Sequence, residues 1–303
     1  MSGSQKGSRI TAALDCLRNC DQFFEFDNRE RVTRVEVYHA TDADEIAAHV
    51  GNLHDLQRLR FEDSDLSDVG LSQLKDLTNL QEFTLRGKNF TSVGLSALRG
   101  LGKITKLVLD SPGLDRLAIQ HASHLRSLRD LTLYGGTFQD DDLAPIAALI
   151  NLEELEVSKN DRINGTYCRY LSNLKRLIDL SPSDNLTDAA IDHLVKLEQL
   201  KTLFIEGPFT DVGLRTMSEL QGLETLFITS ANVTDAGIAI VGDLPNLTWL
   251  GLWTPKLTDA GVTALSRCRN LTSLLVLRSS LTLVGRNTLQ KALRGCNLDL
   301  VED

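Results

Sequence analysis

Histidine side chains are the first candidates for chemistry in this sequence, because imidazoles bind metals and transfer protons. His121 and His124 lie three residues apart, a spacing that places both rings on one face of a helix. A zinc site needs at least a third protein ligand, and the sequence offers none beside this pair. We therefore expect both histidines to lie on a solvated surface rather than at a metal.

The cysteines and the aspartate run favour structural roles as well. Asp140, Asp141 and Asp142 suggest calcium, but they stand at an expected helix start, where carboxylates interact favourably with the helix dipole. Cys16 and Cys20 lie one helical turn apart, which allows a metal pair, although simple packing is the favoured interpretation. The cysteines number five and form no C-x-x-C pair, which fits reduced thiols.

Motifs for catalysis are absent from the sequence. It contains no glycine-rich phosphate loop, no G-x-S-x-G and no H-E-x-x-H. An enzyme hypothesis rests only on an irregular region, 159–186, which contains Tyr167, Cys168, Tyr170 and Asp179. We predict a protein that is not an enzyme and that uses neither a cofactor nor a metal.

Charge and hydropathy limit the partners and the location. The formal charge of −9 argues against nucleic-acid or anionic-membrane binding, which requires a positive field. No apolar run approaches the ~20 residues of a membrane span, and the N-terminus lacks the apolar core of a signal peptide. These features predict a cytoplasmic protein.

A repeat of 24 residues organises most of the chain. Each repeat begins with L-x-x-L-x-L, typical of a short strand with one apolar face, and continues with apolar residues at helical spacing. One such strand and helix cannot bury its own apolar face and needs a copy on either side. The repeat starts are Val32, Leu56, Leu80, Ile104, Leu128, Leu152, a degenerate start near Leu174, and then Leu200, Leu223, Leu247, Leu271 and Gly295.

The repeats resemble the leucine-rich repeat family over residues 32–301. The T-D-x-G helix start, seen at 210–213, 234–237 and 258–261, is similar to a bacterial 24-residue subtype related to the cysteine-containing repeats of F-box receptors. This resemblance implies an α/β solenoid, a horseshoe of about twelve rungs with a parallel concave sheet and convex helices. It also implies a protein-binding role, since such folds rarely catalyse reactions.

The remaining segments complete the predicted organisation. Residues 1–8 are rich in Ser, Gly and Lys and are expected to form a disordered tail, and residues 9–31 an N-terminal helical cap. The regular scheme fails around 159–186. There the repeat 152–173 counts two residues short, the next counts two extra, and Asp179 falls where an apolar strand residue belongs. A local bend and a functional loop are both compatible with this irregularity.

The residues that alternate with the buried leucines should face outward from the concave sheet. In the N-terminal half these positions are charged and mixed in sign, which is typical of a solvated face. In the C-terminal half they are mostly uncharged, and phenylalanines, leucines and both tryptophans of the chain are among them. The predicted partner-binding residues are Phe204, Phe227, Trp249, Trp253, Leu275, Thr229 and Glu206.

Exposed aromatic patches of this kind usually mark interaction sites. We predict a non-catalytic scaffold that binds a protein or peptide with this C-terminal concave surface, where Gly251 should leave a dip for a partner side chain. The alternative is a structural role, a homodimer formed through the same patch or an end strand.

Overall fold

The computed structural model describes residues 3–20 and 22–301. The chain divides into two compact units, Met1–Leu152 and Glu153–Asp303. Both units are built from repeats in which a strand is followed by a helical turn or short helix, so the predicted α/β solenoid architecture is confirmed. Within the described residues, no helix is long and apolar enough to cross a bilayer.

The first unit contains strands β1 to β6 and helices α1 to α4. Strand β1 pairs antiparallel with β2, and β2 to β6 are parallel neighbours in chain order. Helices of the 3-10 type occupy Gly94–Gly100 and Asp140–Ala148. The bounds are β1 Phe23–Phe26, β2 Val32–Tyr38, β3 Arg58–Glu62, β4 Glu82–Arg86, β5 Lys106–Asp110, β6 Asp130–Tyr134, α1 Gly3–Asn19, α2 Ala43–Val50, α3 Asp68–Ser72 and α4 Arg116–Ala122.

Helix α1 begins at Gly3, so residues 3–8 are helical and differ from the predicted disordered tail; Met1 and Ser2 lie outside the described residues. Ala13 and Leu17 are fully buried and anchor the helix. Once such a helix is anchored, each further residue adds a hydrogen bond, which explains its extension into a polar segment. The following strand β1 occupies the edge of β2.

The second unit contains strands β7 to β13, which are parallel neighbours in chain order, and helices α5 to α9. Helices of the 3-10 type occupy Thr166–Asn173 and Arg215–Glu219. The bounds are β7 Glu154–Ser158, β8 Asp179–Ser181, β9 Thr202–Glu206, β10 Thr225–Thr229, β11 Trp249–Trp253, β12 Ser273–Leu277, β13 Asn297–Val301, α5 Asp188–Leu194, α6 Asp211–Leu214, α7 Asp235–Val241, α8 Val262–Leu265 and α9 Leu283–Ala292.

The strand register corrects the sequence alignment around residue 179. Leu155 pairs with Leu180, which in turn pairs with Leu203, so these repeats are one residue longer and one residue shorter than 24. Asp179 pairs with Glu154 and Thr202 and therefore takes an outward position. The prediction that it replaces an apolar core residue is wrong, because Leu180 fills that place.

An aspartate ladder ties the T-D-x-G helix starts to one another. Asp211 accepts two hydrogen bonds from Thr234 of the next repeat, 2.8 Å from the backbone nitrogen and 2.6 Å from the hydroxyl. Asp235 accepts the same pair from Thr258, at 2.8 and 2.6 Å. A Cβ at Gly237 would lie 2.4 Å from the Asp211 carboxylate, so this glycine makes room for the ladder.

Candidate functional site

The alternation of strands β9 to β12 places an aromatic surface on one face of the second unit. Leu203, Leu226 and Leu250 are fully buried on the opposite face of the sheet. The residue that follows Leu203, Phe204, therefore points outward and is 38% exposed. Phe227, Trp249 and Trp253 are half-exposed. Neither indole is buried in the core.

Three of the rings form a continuous row across neighbouring strands. The ring centroids of Phe204 and Phe227 are 6.2 Å apart, with the ring planes inclined by 36°. Those of Phe227 and Trp249 are 6.0 Å apart and stacked at 29°. Each such pair stabilises its arrangement by roughly 0.5–1.5 kcal/mol beyond simple burial. The row therefore holds its rings in place before any partner arrives.

Gly251 does not leave the dip that the sequence suggests. A Cβ at this position would lie 2.0 Å from Cδ2 of Phe227 and 2.6 Å from Cη2 of Trp249. The space above the glycine is therefore filled by the two rings, and Gly251 itself is buried. The missing side chain lets Phe227 lean across strand β11 and reach Trp249, which explains the stack.

The other predicted residues lie on the same face of the sheet, one in line with the central column and three at the carboxyl ends of the strands. Leu275 pairs with Gly251 and continues the central column. Glu206, Thr229 and Trp253 are register partners of one another across β9, β10 and β11, at the carboxyl ends of the strands. Among the described residues, the Trp253 ring stacks on none of the three rings in the row.

Glu206 lies at the rim of this surface, beside a second carboxylate. Partial burial raises the pKa of Glu206 above its usual value, and the nearby Asp184 raises it further. Asp184 accepts a hydrogen bond from the Lys159 backbone nitrogen at 2.6 Å. The turn after Glu206 depends on Gly207, which has a φ of 148°. A Cβ at this position would lie 2.3 Å from the Leu186 backbone nitrogen, so no other residue fits.

Further acidic residues lie on the same outward face of the second unit as the aromatic row. The outward strand positions of the second unit include Glu154, Glu156, Asp179 and Asp299, in addition to Glu206. No lysine or arginine occupies any outward strand position of this unit. Strand alternation in the sequence already gives the outward side of Glu154, Glu156, Glu206 and Asp299, whereas the side taken by Asp179 required the strand register.

The outward face of the first unit is instead a set of paired charges. Arg86 contacts Glu62 at 3.0 Å, and Arg60 contacts the same carboxylate group at 3.2 Å. Further pairs are Arg34 with Glu36, Arg58 with Glu82 and Lys106 with Asp130. These pairs are solvent-accessible, which agrees with the predicted mixed-sign, solvated face.

The candidate metal and catalytic residues occupy structural positions. His121 is buried, contrary to the prediction of a solvated position, and accepts a hydrogen bond of 3.1 Å from Arg99. Burial lowers the pKa of His121, and the Arg99 charge lowers it further. The His124 ring nitrogen lies 2.7 Å from the Gln120 carbonyl oxygen. Within the described residues, no group of three or more His, Cys, Asp or Glu side chains could hold a metal ion.

The irregular region 159–186 contributes several side chains to the core. Tyr167 and Cys168 are buried, and the Tyr167 hydroxyl donates to the Pro182 carbonyl oxygen at 3.0 Å. Tyr170 is half-exposed and contacts the guanidinium of Arg169, 4.7 Å from its ring centroid. The side chains that motivated the enzyme hypothesis are thus divided between the core and the surface.

Repeats of about 24 residues, each with a strand followed by a helical segment and with the strands paired in parallel, are characteristic of the leucine-rich repeat class. A family model described as a leucine-rich repeat region matches residues 31–284. The chain belongs to this family, whose members generally act as binding scaffolds. No match was found among curated proteins.

Several solved structures have a similar fold. A crystal structure of an internalin (inlF) from Listeria monocytogenes aligns with a TM-score of 0.63 and 19% identity, covering 89% of this chain and 87% of that one. The PEPR1–AtPEP1 structure aligns with a TM-score of 0.52 and 18% identity, over 92% of this chain and 43% of that one. A TDR receptor aligns with a TM-score of 0.51 and 16% identity, over 77% of this chain and 45% of that one. At these identities the likeness bears on the fold alone.

Proposed function

We propose that the protein is a non-catalytic scaffold that binds a protein or peptide partner with the outward face of strands β9 to β12. The contact residues would be those predicted from the sequence: Phe204, Phe227, Trp249, Trp253 and Leu275, with Thr229 and Glu206 at the rim. The observation that carries the proposal is the stacked row of Phe204, Phe227 and Trp249, which stays open to solvent on a rigid sheet.

Leaving these aromatic rings exposed to water costs free energy that a bound partner would recover. Large aromatic side chains gain most from burial, and tryptophan anchors dominate many binding interfaces. Here their positions are fixed by strand register and by mutual stacking, so little side-chain entropy is lost when a partner covers them. A rigid, exposed aromatic row of this kind is suited to recognition.

The test removes both indoles while keeping the sheet. We expect the Trp249→Ala/Trp253→Ala variant to lose the partners recovered by affinity purification and mass spectrometry, with a melting temperature close to that of the wild type. The matched control is Val69→Ala/Val93→Ala. It truncates two apolar side chains at helix starts of the first unit, which are 67% and 63% exposed. A large fall in stability on removing the tryptophans, or recovery of the same partners, would contradict the proposal.

The second candidate is self-assembly through the same patch or through the outer edge of β13. The outer strand β13 alternates exposed residues with half-buried ones, among them Leu298 and Leu300, which is compatible with such an edge contact. Light scattering at increasing protein concentration distinguishes the two candidates. A monomer at high concentration removes the dimer, whereas a dimer that the tryptophan substitutions dissociate would replace the first proposal.

We also propose a repeat subtype and a cellular location. We assign the chain to the T-D-x-G subtype because Thr210 and Thr234 each accept the backbone N–H two residues on, at 3.1 and 3.2 Å. A cytoplasmic location is supported by the cysteines, which are all thiols. A reaction at the 159–186 region has little support, since Tyr167 and Cys168 are buried.

A further inference from the structure

We infer that the partner is a cationic peptide, with arginine or lysine side chains beside an apolar centre, lying across the strands of the second unit. This inference rests on the proposed function, because it assumes that the aromatic row is the binding surface. It adds the chemical class of the ligand. The charges that surround the aromatic row favour this class.

Carboxylates lie at both ends of the aromatic row, which runs perpendicular to the strands. Glu206 lies on the same strand as Phe204, two residues away, or about 7 Å. Glu156 lies on strand β7, two strands from Phe204, which corresponds to about 10 Å. At the opposite end, Asp299 pairs with Leu275. A ligand that covers the rings therefore meets an acid at either end.

Within the described part of the chain, no cation forms an ion pair with Glu156, Glu206 or Asp299. The nearby basic side chains stand at strand ends and have partners of their own: Lys201 contacts Glu224 at 2.8 Å, and Lys159 and Arg278 also make contacts. Glu206 has no ion pair within the described part of the chain. The first unit differs, because its arginines and glutamates neutralise one another on the outward face.

Exposed aromatic faces add to the preference for cations. Guanidinium and ammonium groups are attracted to the faces of Trp, Tyr and Phe rings, and a neighbouring carboxylate strengthens this attraction. The pKa of Glu206 is raised, chiefly by its partial burial, so a cationic partner would relieve the cost of its charge. A ligand with basic and apolar side chains satisfies both parts of the surface.

The same charges disfavour a second copy of the chain as the occupant. A two-fold contact through this face would bring Glu156, Glu206 and Asp299 of two copies together, and each copy has a formal charge of −9. Like charges opposed across an interface are costly. The distance from Glu206 to Asp299, four strand steps or about 20 Å, fits an extended peptide of about six residues.

The experiment selects ligands for the full chain from a displayed library of random peptides about 12 residues long, which exceeds the ~20 Å span. We expect enrichment of peptides in which arginine or lysine flanks aromatic or aliphatic residues, and affinities that fall as salt is added. For an enriched peptide, the Glu156→Gln/Glu206→Gln variant should bind about 5- to 20-fold more weakly, since each exposed charge contributes a modest amount. Glu82→Gln on the first unit is the matched control and should bind as the wild type does.

The outcomes separate this inference from the proposed function. The inference of a cationic partner is overturned if the enriched peptides have no excess of basic residues, or if Glu156→Gln/Glu206→Gln binds them with unchanged affinity. The aromatic binding site still stands in that case if Trp249→Ala/Trp253→Ala abolishes binding. Peptides that bind the tryptophan variant normally overturn both, and so does the absence of any enriched peptide. Thermal melting of each variant distinguishes lost binding from lost folding.

Discussion

Substituting alanine for Gly251 tests whether the aromatic row depends on the missing side chain. The new Cβ would overlap Phe227, at 2.0 Å from Cδ2 and 2.5 Å from Cε2. These atoms belong to the end of a half-exposed side chain rather than to the backbone, so the ring can swing away into solvent. The substitution should therefore separate the rings without unfolding the sheet.

The magnitudes predict a small change in stability and a large change in the row. Alanine in a strand is favoured over glycine by roughly 0.5–1 kcal/mol, because glycine loses more backbone entropy on folding. Removing Phe227 from its contacts with Phe204 and Trp249 costs roughly 0.5–1.5 kcal/mol for each pair. The net loss is about 1 kcal/mol, which corresponds to a fall in melting temperature of about 2–4 °C.

The assay uses the Trp253→Phe background, in which Trp249 is the single tryptophan, since the chain contains two. We expect Gly251→Ala to shift Trp249 fluorescence and to increase its quenching by acrylamide. The control is Gly222→Ala, whose Cβ would meet only carbonyl oxygens of Glu198 and Leu200, both at an ordinary 3.5 Å. Unchanged fluorescence, or a loss of stability above about 4 kcal/mol, would refute the described stack, because the latter signals a backbone clash.

Three further predictions concern buried and titratable groups in the second unit. Thr254→Val should stabilise the fold by about 1 kcal/mol in urea denaturation, because the buried Thr254 hydroxyl has no hydrogen-bond partner among the described residues. Ser230→Ala should instead destabilise the fold by about 1–2 kcal/mol, because it removes the 2.7 Å bond to the Phe209 carbonyl oxygen and the 3.2 Å bond from the Asn232 backbone nitrogen. Asp235→Ala should cost about 1–2 kcal/mol and speed amide exchange around Thr258, and unchanged exchange there would argue against the ladder. The raised pKa of Glu206 means that the folded state binds a proton more tightly than the unfolded state, so its charge lowers stability at neutral pH. Glu206→Gln should accordingly be slightly more stable than the wild type at neutral pH. This advantage should shrink as the pH falls through the folded-state pKa and vanish below the lower unfolded-state pKa. An advantage that grows on acidification would contradict the assignment.

Much of the candidate surface is predictable from the sequence because strand alternation is a local property. Leu203, Leu226 and Leu250 recur at intervals of 23 and 24 residues, and the strand residues next to each of them must face the other side of the sheet. The outward positions of Phe204, Phe227 and both tryptophans follow without any long-range information. The repeat period likewise gives the stacking of neighbours and the parallel sheet.

Other features depend on side-chain contacts between neighbouring repeats, which a local sequence pattern does not specify. The ring of Phe227 fills the space above Gly251 because of a side-chain direction chosen among several by packing. Asp211 reaches Thr234 across a gap between repeats, and His121 is buried against Arg99 from the preceding repeat.

The sequence by itself determined the repeating α/β architecture and, outside the irregular region 159–186, the side of the sheet on which the strand residues lie, because both follow from local periodicity. The tertiary structure decided the register of Asp179, the closed stack over Gly251 and which charged side chains pair with one another. Those features arise from contacts between repeats, whose geometry is set by packing and hydrogen bonding among residues about one repeat apart in the chain.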